Sequence, residues 1–235
     1  MDNQSLRFSR TELLLGTQIT SDFSTKRVLI VGVGGVGGHA AANIARTGIG
    51  KIVMVDGDTV DISNCNRQIS AFSSTVGKYK ADVLAASFRD INPAGEFIAI
   101  NRFLKTPEDI AALLQADDYD FAIDAIDDVP VKVELIRQLK QKGIPMISSM
   151  GAGGKTDPAQ VQIADIHRTS GCPLARIMRN KLKELHIKKV QTVFSPEPPL
   201  RRFESRKIGS ISYIPAIFGC FCAAQAIRFL GGMSK

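Results

Sequence analysis

Apolar and polar positions alternate along the first 150 residues in two distinct rhythms. Residues 28–33 (VLIVGV) are apolar and largely β-branched throughout. That is the pattern of a strand covered on both faces, as in a parallel sheet. A glycine-rich turn follows, and the small residues of 39–45 suit a helix lying close on a sheet. Gly48 and Gly50 end that helix, and residues 51–55 predict a second strand. In 78–91 the period lengthens, with Val83, Leu84, Phe88 and Ile91 on one side of a helix. A short strand is expected at 97–100. Thr106, Pro107, Glu108 and Asp109 then give a capping hydroxyl, a proline at the first helical position and acids at the positive dipole end. A strand at 119–123, a helix at 131–142 and a strand at 144–148 complete the series. Strands alternating with helices predict an α/β fold with a Rossmann-like, doubly wound, mostly parallel sheet.

The second half is less regular. Residues 161–166 are expected to continue the sheet, 173–185 to form a basic helix, and Ser195-Pro196-Glu197-Pro198-Pro199 a loop. Residues 215–230, rich in Ala, Gly and Cys, predict a terminal helix. From Ile208 onward this stretch approaches the make-up of a membrane span. Gln225, Arg228 and Pro215 count against that, so it is read as a buried or dimer-interface helix, with no membrane partner. The polar opening MDNQSLRFSRTELLLG has no apolar core of signal-peptide type, and a cytoplasmic location is the expectation. The 235 residues are expected to form a single domain. It divides into an arm at 1–26, a nucleotide-binding half at 27–150 and an elaborated half at 151–235.

Composition changes the picture at two points. The formal net charge is +7, and the basic residues thicken late, from Arg176, Arg179, Lys181, Lys183, Lys188 and Lys189 to Arg201, Arg202, Arg206 and Lys207. Such a cluster is compatible with nucleic-acid binding. The four cysteines, Cys65, Cys172, Cys220 and Cys222, form no C-x-x-C pair, which gives no support to a zinc site or a dithiol redox motif.

The chemistry starts at the first turn. Gly32-Val33-Gly34-Gly35-Val36-Gly37 satisfies G-x-G-x-x-G between a strand and a helix. There, backbone N–H groups and a helix dipole can meet phosphate. Asp56 ends the second strand, where a carboxylate can accept from ribose hydroxyls. This much equally suits an NAD-dependent dehydrogenase. Asn64, Arg67 and Gln68 follow in a Ser-Asn-Cys-Asn-Arg-Gln run, and Lys80 lies thirteen residues after Arg67. An Arg and a Lys beside the turn suit the extra charge of a triphosphate and its pyrophosphate leaving group. Asp124 and Asp127 end a later strand at the edge that faces the ligand crevice, where a carboxylate can hold Mg²⁺ against phosphate.

These motifs resemble those of the ubiquitin-activating-enzyme-like adenylyltransferases, the superfamily that includes the activators of sulphur-carrier proteins. Within it the chain is most similar to the tRNA threonylcarbamoyladenosine dehydratases. The closer likeness lies in Arg7-Phe8-Ser9-Arg10-Thr11-Glu12-Leu13-Leu14-Leu15-Gly16, Asp124-Ala125-Ile126-Asp127, and Gly151-Ala152-Gly153-Gly154-Lys155-Thr156-Asp157-Pro158. Val193-Phe194-Ser195 and Gly209-Ser210 extend it, so that it covers nearly the whole chain. The resemblance implies ATP-dependent adenylation of the threonyl carboxylate of threonylcarbamoyladenosine in tRNA, then ring closure with release of AMP and pyrophosphate. It implies that Gly32, Gly34, Gly35 and Gly37 line the nucleotide phosphates and Asp56 binds ribose. Asn64, Arg67, Gln68 and Lys80 would contact the triphosphate, and Asp127 would coordinate Mg²⁺. Arg10 would reach into the partner subunit's site, which implies a homodimer. A structural monovalent cation near Gly151–Gly154 and a cysteine-desulphurase or sulphur-carrier type partner also fall within what the resemblance admits.

Two departures bear on this reading. The sulphur-carrier activators usually carry two C-x-x-C zinc pairs, and none is present here. That counts against activation of a ubiquitin-like carrier protein, the main alternative, and against a zinc cofactor. Related dehydratases often place a cysteine just before Val-Phe-Ser, where this chain has Thr192. Intramolecular ring closure needs no enzyme thiolate. A basic RNA-binding module with a vestigial nucleotide pocket is the non-enzymatic alternative.

Overall fold

The computed structural model describes residues 6–201 and 208–233. Arg202, Arg206 and Lys207 of the basic run lie outside the described residues. Two short helices, α1 (Ser9–Leu15) and α2 (Thr17–Phe23), form the N-terminal arm, pinned by the fully buried Phe23. Next come β1 (Arg27–Val31), α3 (Gly37–Ala45), β2 (Lys51–Val55), α4 (Lys80–Ile91), β3 (Glu96–Ile100) and α5 (Pro107–Gln115). Then follow β4 (Phe121–Asp124), α6 (Val129–Gln141), β5 (Met146–Ser149), β6 (Gln162–Asp165), α7 (Pro173–Glu184), β7 (Gln191–Phe194) and α8 (Tyr213–Leu230).

The strands make one sheet in the order β3-β2-β1-β4-β5-β7-β6, parallel except for the β6–β7 pair. Its order explains the continuous apolar runs. In β1, Val28 and Ile30 pack into the layer under α3, α4 and α8, while Leu29 and Val31 pack into the opposite layer under α5, α6 and α7. Successive strand residues face opposite ways, so a strand buried twice has no polar phase. Truncating one of these, Leu29 for instance, would cost roughly 2–5 kcal/mol.

Local signals set the element ends. Thr106 caps α5 reciprocally: its Oγ1 accepts from the Asp109 amide at 3.2 Å, and Asp109 accepts from the Thr106 amide at 3.1 Å. Strand β7 is an addition to the sequence expectation. It has four residues, and Gln191 is exposed while Val193 and Phe194 go to opposite layers, so it carries no long pattern. Pro215 does not break the terminal helix, which begins at Tyr213 with the proline in its first turn. That helix is long and apolar enough to cross a membrane by length and composition, with mean hydropathy 1.5. Its Ile214, Phe218, Cys222, Ala223 and Ala226 are nevertheless buried in the core. Gly219 makes this possible, because a Cβ there would stand 2.5 Å from the Val36 carbonyl oxygen beside α3.

The chain leaves β1 toward β2 on one side and reaches β4 on the other. At such a switch in strand order the loops diverge, which opens a crevice beyond the carboxyl ends of the strands.

Candidate active site

A cavity of about 870 Å³ occupies that crevice. Gly32, Gly34, Gly35, Asp56, Asn64, Arg67, Gln68, Lys80 and Asp127 all line it. Gly37 and Arg10 are not on its wall.

The glycines divide by what each position demands. Gly32 has φ +84°, and a Cβ there would come within 2.7 Å of the Ala125 carbonyl oxygen. A Cβ on Gly37 would come within 1.8 Å of the Gly32 carbonyl oxygen, so Gly37 serves the packing of the turn on its helix. Gly34 is different. Nothing among the described residues crowds it, the nearest atom to a Cβ being Gln68 Nε2 at 3.7 Å. The fold does not require a bare backbone there, and what gains from it is a ligand in the cavity.

Polar groups converge from four segments. One oxygen of Asp56, Oδ2, accepts from the Val33 amide at 2.8 Å, and Oδ1 accepts from the Asp58 amide at 2.8 Å. The acid at the end of β2 thereby fixes the turn after β1. Lys80 is brought in by an antiparallel bridge between Thr59 and Tyr79 and by its own amide, which donates to the Asp58 carbonyl. Its side chain is only 6% exposed, and Nζ sits 2.7 Å from Asp58 Oδ2. Arg67 follows a one-turn helix, Ile62–Asn64, that is capped by Asp61. Its Nη1 donates to the Ser63 carbonyl at 3.0 Å and to Asn66 Oδ1 at 2.8 Å. Asn64 Oδ1 accepts from the Asp61 amide at 3.1 Å. Gln68 is buried on the wall, and its Oε1 has no hydrogen-bond partner among the described residues. Buried polar atoms are normally paired, so this one fits a site whose occupant supplies the partner.

The two acids after β4 part company. Asp124 is fully buried and sits 2.9 Å from the equally buried Lys132 Nζ, while Ser148 Oγ donates to it at 2.6 Å. It is therefore not free to hold a metal, contrary to the expectation that either acid could. Asp127 is exposed on the cavity wall and has no partner among the described residues. Such a carboxylate on the cavity wall suits Mg²⁺, a hard ion that takes few protein oxygens and fills its shell from phosphate and water. Among the described residues no three His, Cys, Asp or Glu side chains cluster to hold a metal.

Sequence reasoning missed part of the wall. Arg102, Phe103 and Lys105, on the loop after β3, also line the cavity. Phe103 lies over Gly57, whose Cβ would stand 2.6 Å from the ring. The available signal was position alone, since this loop leaves the carboxyl end of a strand beside β2. Lys132 was also missed; nothing in the pattern of α6 says that its ammonium turns inward. Beside the site, His39 has its pKa lowered by burial, against the opposing effect of a hydrogen bond to the Arg67 backbone. Thr192 is fully buried and donates to the Ala164 carbonyl at 3.0 Å, which ties β7 to β6.

The fold and the site together define an adenylating class: the chain belongs to the ThiF family, whose model matches residues 8–235. Its relatives narrow this. The chain is 46% identical over 197 residues to a tRNA threonylcarbamoyladenosine dehydratase of Bacillus subtilis, covering 83% of this chain and 76% of that protein. It is 32% identical to the enzyme of that name from Haemophilus influenzae, over 97% of this chain and 94% of that one. A crystal structure of the Escherichia coli tRNA N6-threonylcarbamoyladenosine dehydratase in complex with ATP superposes with a TM-score of 0.91 at 35% identity, over 99% of this chain and 96% of that chain.

Proposed function

We propose that this chain is an ATP-dependent dehydratase that adenylates the threonyl carboxylate of threonylcarbamoyladenosine in tRNA and promotes its cyclisation. The observation that carries the reading is the single cavity where Asp56, Arg67, Lys80 and Asp127 meet a bare glycine backbone. The end-to-end likeness to dehydratases of this name supports the substrate.

A carboxylate is a poor electrophile, because its leaving group would be oxide or hydroxide. Attack of one carboxylate oxygen on the α-phosphorus of ATP breaks the bond to pyrophosphate and forms an acyl-adenylate. An internal nucleophile of the same modification then attacks the carbonyl carbon. AMP leaves with the electron pair, and the nucleophile's proton goes to solvent. The net loss from the nucleoside is one water. The enzyme's part is positioning and charge neutralisation. Asp56 orients the ribose while it holds the turn. The amides of the half-buried Gly34 and Gly35, which line the cavity, approach the phosphates. Arg67 and Lys80 stabilise negative charge that grows toward pyrophosphate, and Asn64 and Gln68 fix the triphosphate's position. Asp127 would hold Mg²⁺, which when bound screens the phosphate oxygens from the attacking carboxylate.

A homodimer completes this reading. Helix α1 buries none of its residues, and Leu13 and Leu14 are 86% and 81% exposed. An apolar pair so bare beside the exposed Arg10 fits a surface covered by a second copy, into whose cavity Arg10 reaches.

The reading is tested by incubating the protein with ATP, Mg²⁺ and tRNA bearing threonylcarbamoyladenosine. AMP, pyrophosphate and a nucleoside lighter by one water are expected. A folded protein that leaves the nucleoside's mass unchanged refutes it.

A further inference from the structure

A second concavity, of about 810 Å³, lies at the opposite end of the sheet. Arg168, Lys183, Lys188 and Lys189 line it with His167, and Asp165 is its one acid. The β6–β7 register pairs Asp165 with Gln191 at the amino end of β7, whereas the nucleotide cavity opens at the carboxyl ends of the parallel strands.

Three observations make this more than a solvated basic face. First, its charge is uncompensated. Arg168, Lys183, Lys188 and Lys189 are exposed, and none forms an ion pair among the described residues. Asp165 is partly occupied, since its Oδ1 accepts from the His167 amide at 2.9 Å. Second, the loop that carries Lys188 and Lys189 is built rather than loose. Lys189 has φ +56°, and Lys140 of α6 donates to its carbonyl at 2.8 Å. The Ile187 amide donates to Leu182, and Ile166 donates to Val190. His167 Nε2 lies 3.2 Å from the Ile187 carbonyl oxygen, tying the two walls together. Third, the cations come from three separate segments around the concavity: Arg168 from the turn after β6, Lys183 from α7, and Lys188 and Lys189 from the loop before β7. A single small anion would use few of them, while a chain of phosphodiesters can use all.

We propose that this groove binds the sugar-phosphate backbone of the tRNA substrate, away from the nucleoside that reacts. The proposal rests on the function proposed above and adds where the RNA is gripped. The geometry allows it. Strands β6 and β7 have four residues each, ~13 Å at ~3.3 Å per residue, and β6 lies three to four strand spacings of ~4.8 Å from β4 and β1, so groove and cavity are on the order of 20 Å apart. A folded RNA spans that distance while one of its nucleosides occupies the nucleotide cavity.

The test compares the wild-type protein with the variant Lys183→Ala/Lys188→Ala/Lys189→Ala. Affinity for the tRNA is measured over a range of KCl concentrations by fluorescence anisotropy, and KM for ATP and for tRNA is measured by AMP release. The three side chains are exposed, and the same melting temperature is expected. The variant should bind tRNA on the order of tenfold more weakly. Its plot of log affinity against log salt should be shallower by ~2–3, about 0.7–0.9 for each phosphate contact removed. KM for tRNA should rise while KM for ATP stays unchanged. Unchanged affinity and salt slope overturn the proposal. So does a variant that keeps its tRNA affinity but loses retention of polyglutamate, which would assign the groove to an acidic protein. Failure of the dehydration itself appears separately, as wild-type protein that binds tRNA without releasing AMP.

Discussion

Lys132 Nζ sits 2.9 Å from Asp124 Oδ2, with neither side chain reaching solvent, and the pair holds both backbone polar groups of Ile126. The Ile126 amide donates to Asp124 Oδ1 at 3.2 Å, and its carbonyl accepts from Lys132 at 3.0 Å. The next residue is Asp127. A fully desolvated ion pair beneath the cavity thus fixes the backbone from which the exposed carboxylate projects.

Breaking this pair from one side leaves a charge buried alone. Lys132→Met is expected to destabilise the fold by roughly 3–5 kcal/mol, read from urea unfolding. The double variant Asp124→Asn/Lys132→Met should recover part of that loss. If the single variant were as stable as the parent, the pair would have no structural role.

Asp127→Asn separates the metal from the fold. The residue is exposed and has no partner among the described residues, so the melting temperature should not move. The Mg²⁺ concentration for half-maximal activity should rise, and Mn²⁺ bound in the presence of ATP, followed by electron paramagnetic resonance, should weaken in parallel.

The two kinds of glycine predict opposite phenotypes. Gly32→Ala forces a side chain onto φ +84° and against the Ala125 carbonyl, a strain of order 1–3 kcal/mol that calorimetry would register as a lower melting temperature. Gly34→Ala meets no atom of the described residues closer than 3.7 Å. It should melt like the parent while its KM for ATP increases.

Charge at the phosphates is tested by Arg67→Ala and Lys80→Ala. Each should lower kcat by ~100–1000-fold, the usual scale for a lost preorganised donor, in a steady-state assay of AMP release. Lys80→Ala also takes the ammonium from Asp58; adding Asp58→Asn removes that carboxylate's charge but supplies no cation to the phosphates, and should not recover the rate.

Glu197 predicts a pH effect on stability. Burial raises its pKa, but hydrogen bonds from Asp157 and Thr156 and the nearby Lys155 outweigh that and hold the carboxyl below its ordinary 4.5. A carboxyl depressed in the fold adds stability above its unfolded value and loses it as pH falls through the folded value. Glu197→Gln should therefore lower stability at neutral pH and flatten the decline seen below about pH 5, measured by unfolding at successive pH values.

Much of the fold was legible because its strands are buried twice. Val28 to Val31 alternate between two apolar layers, so the run needs no phase to be recognised. The turn was legible for a related reason: Gly32 and Gly37 are demanded by contacts under 3 Å. Strand β7 was not, since four residues with one exposed end hold too little pattern. Apart from the resemblance, which singles out Asp127, the residues alone do not tell Asp124 from Asp127, because what separates them is a lysine eight residues further on that turns inward. Phe103 escaped because its place on the wall depends on Gly57, brought near only by the pairing of β2 with β3.

The central claim is that a carboxylate oxygen of the substrate attacks the α-phosphorus of ATP. The most direct test uses tRNA whose threonylcarbamoyl carboxylate carries heavy oxygen, with the products weighed by mass spectrometry. One heavy oxygen should appear in AMP and none in pyrophosphate. Unlabelled AMP, or label recovered in inorganic phosphate alongside ADP, would contradict adenylation.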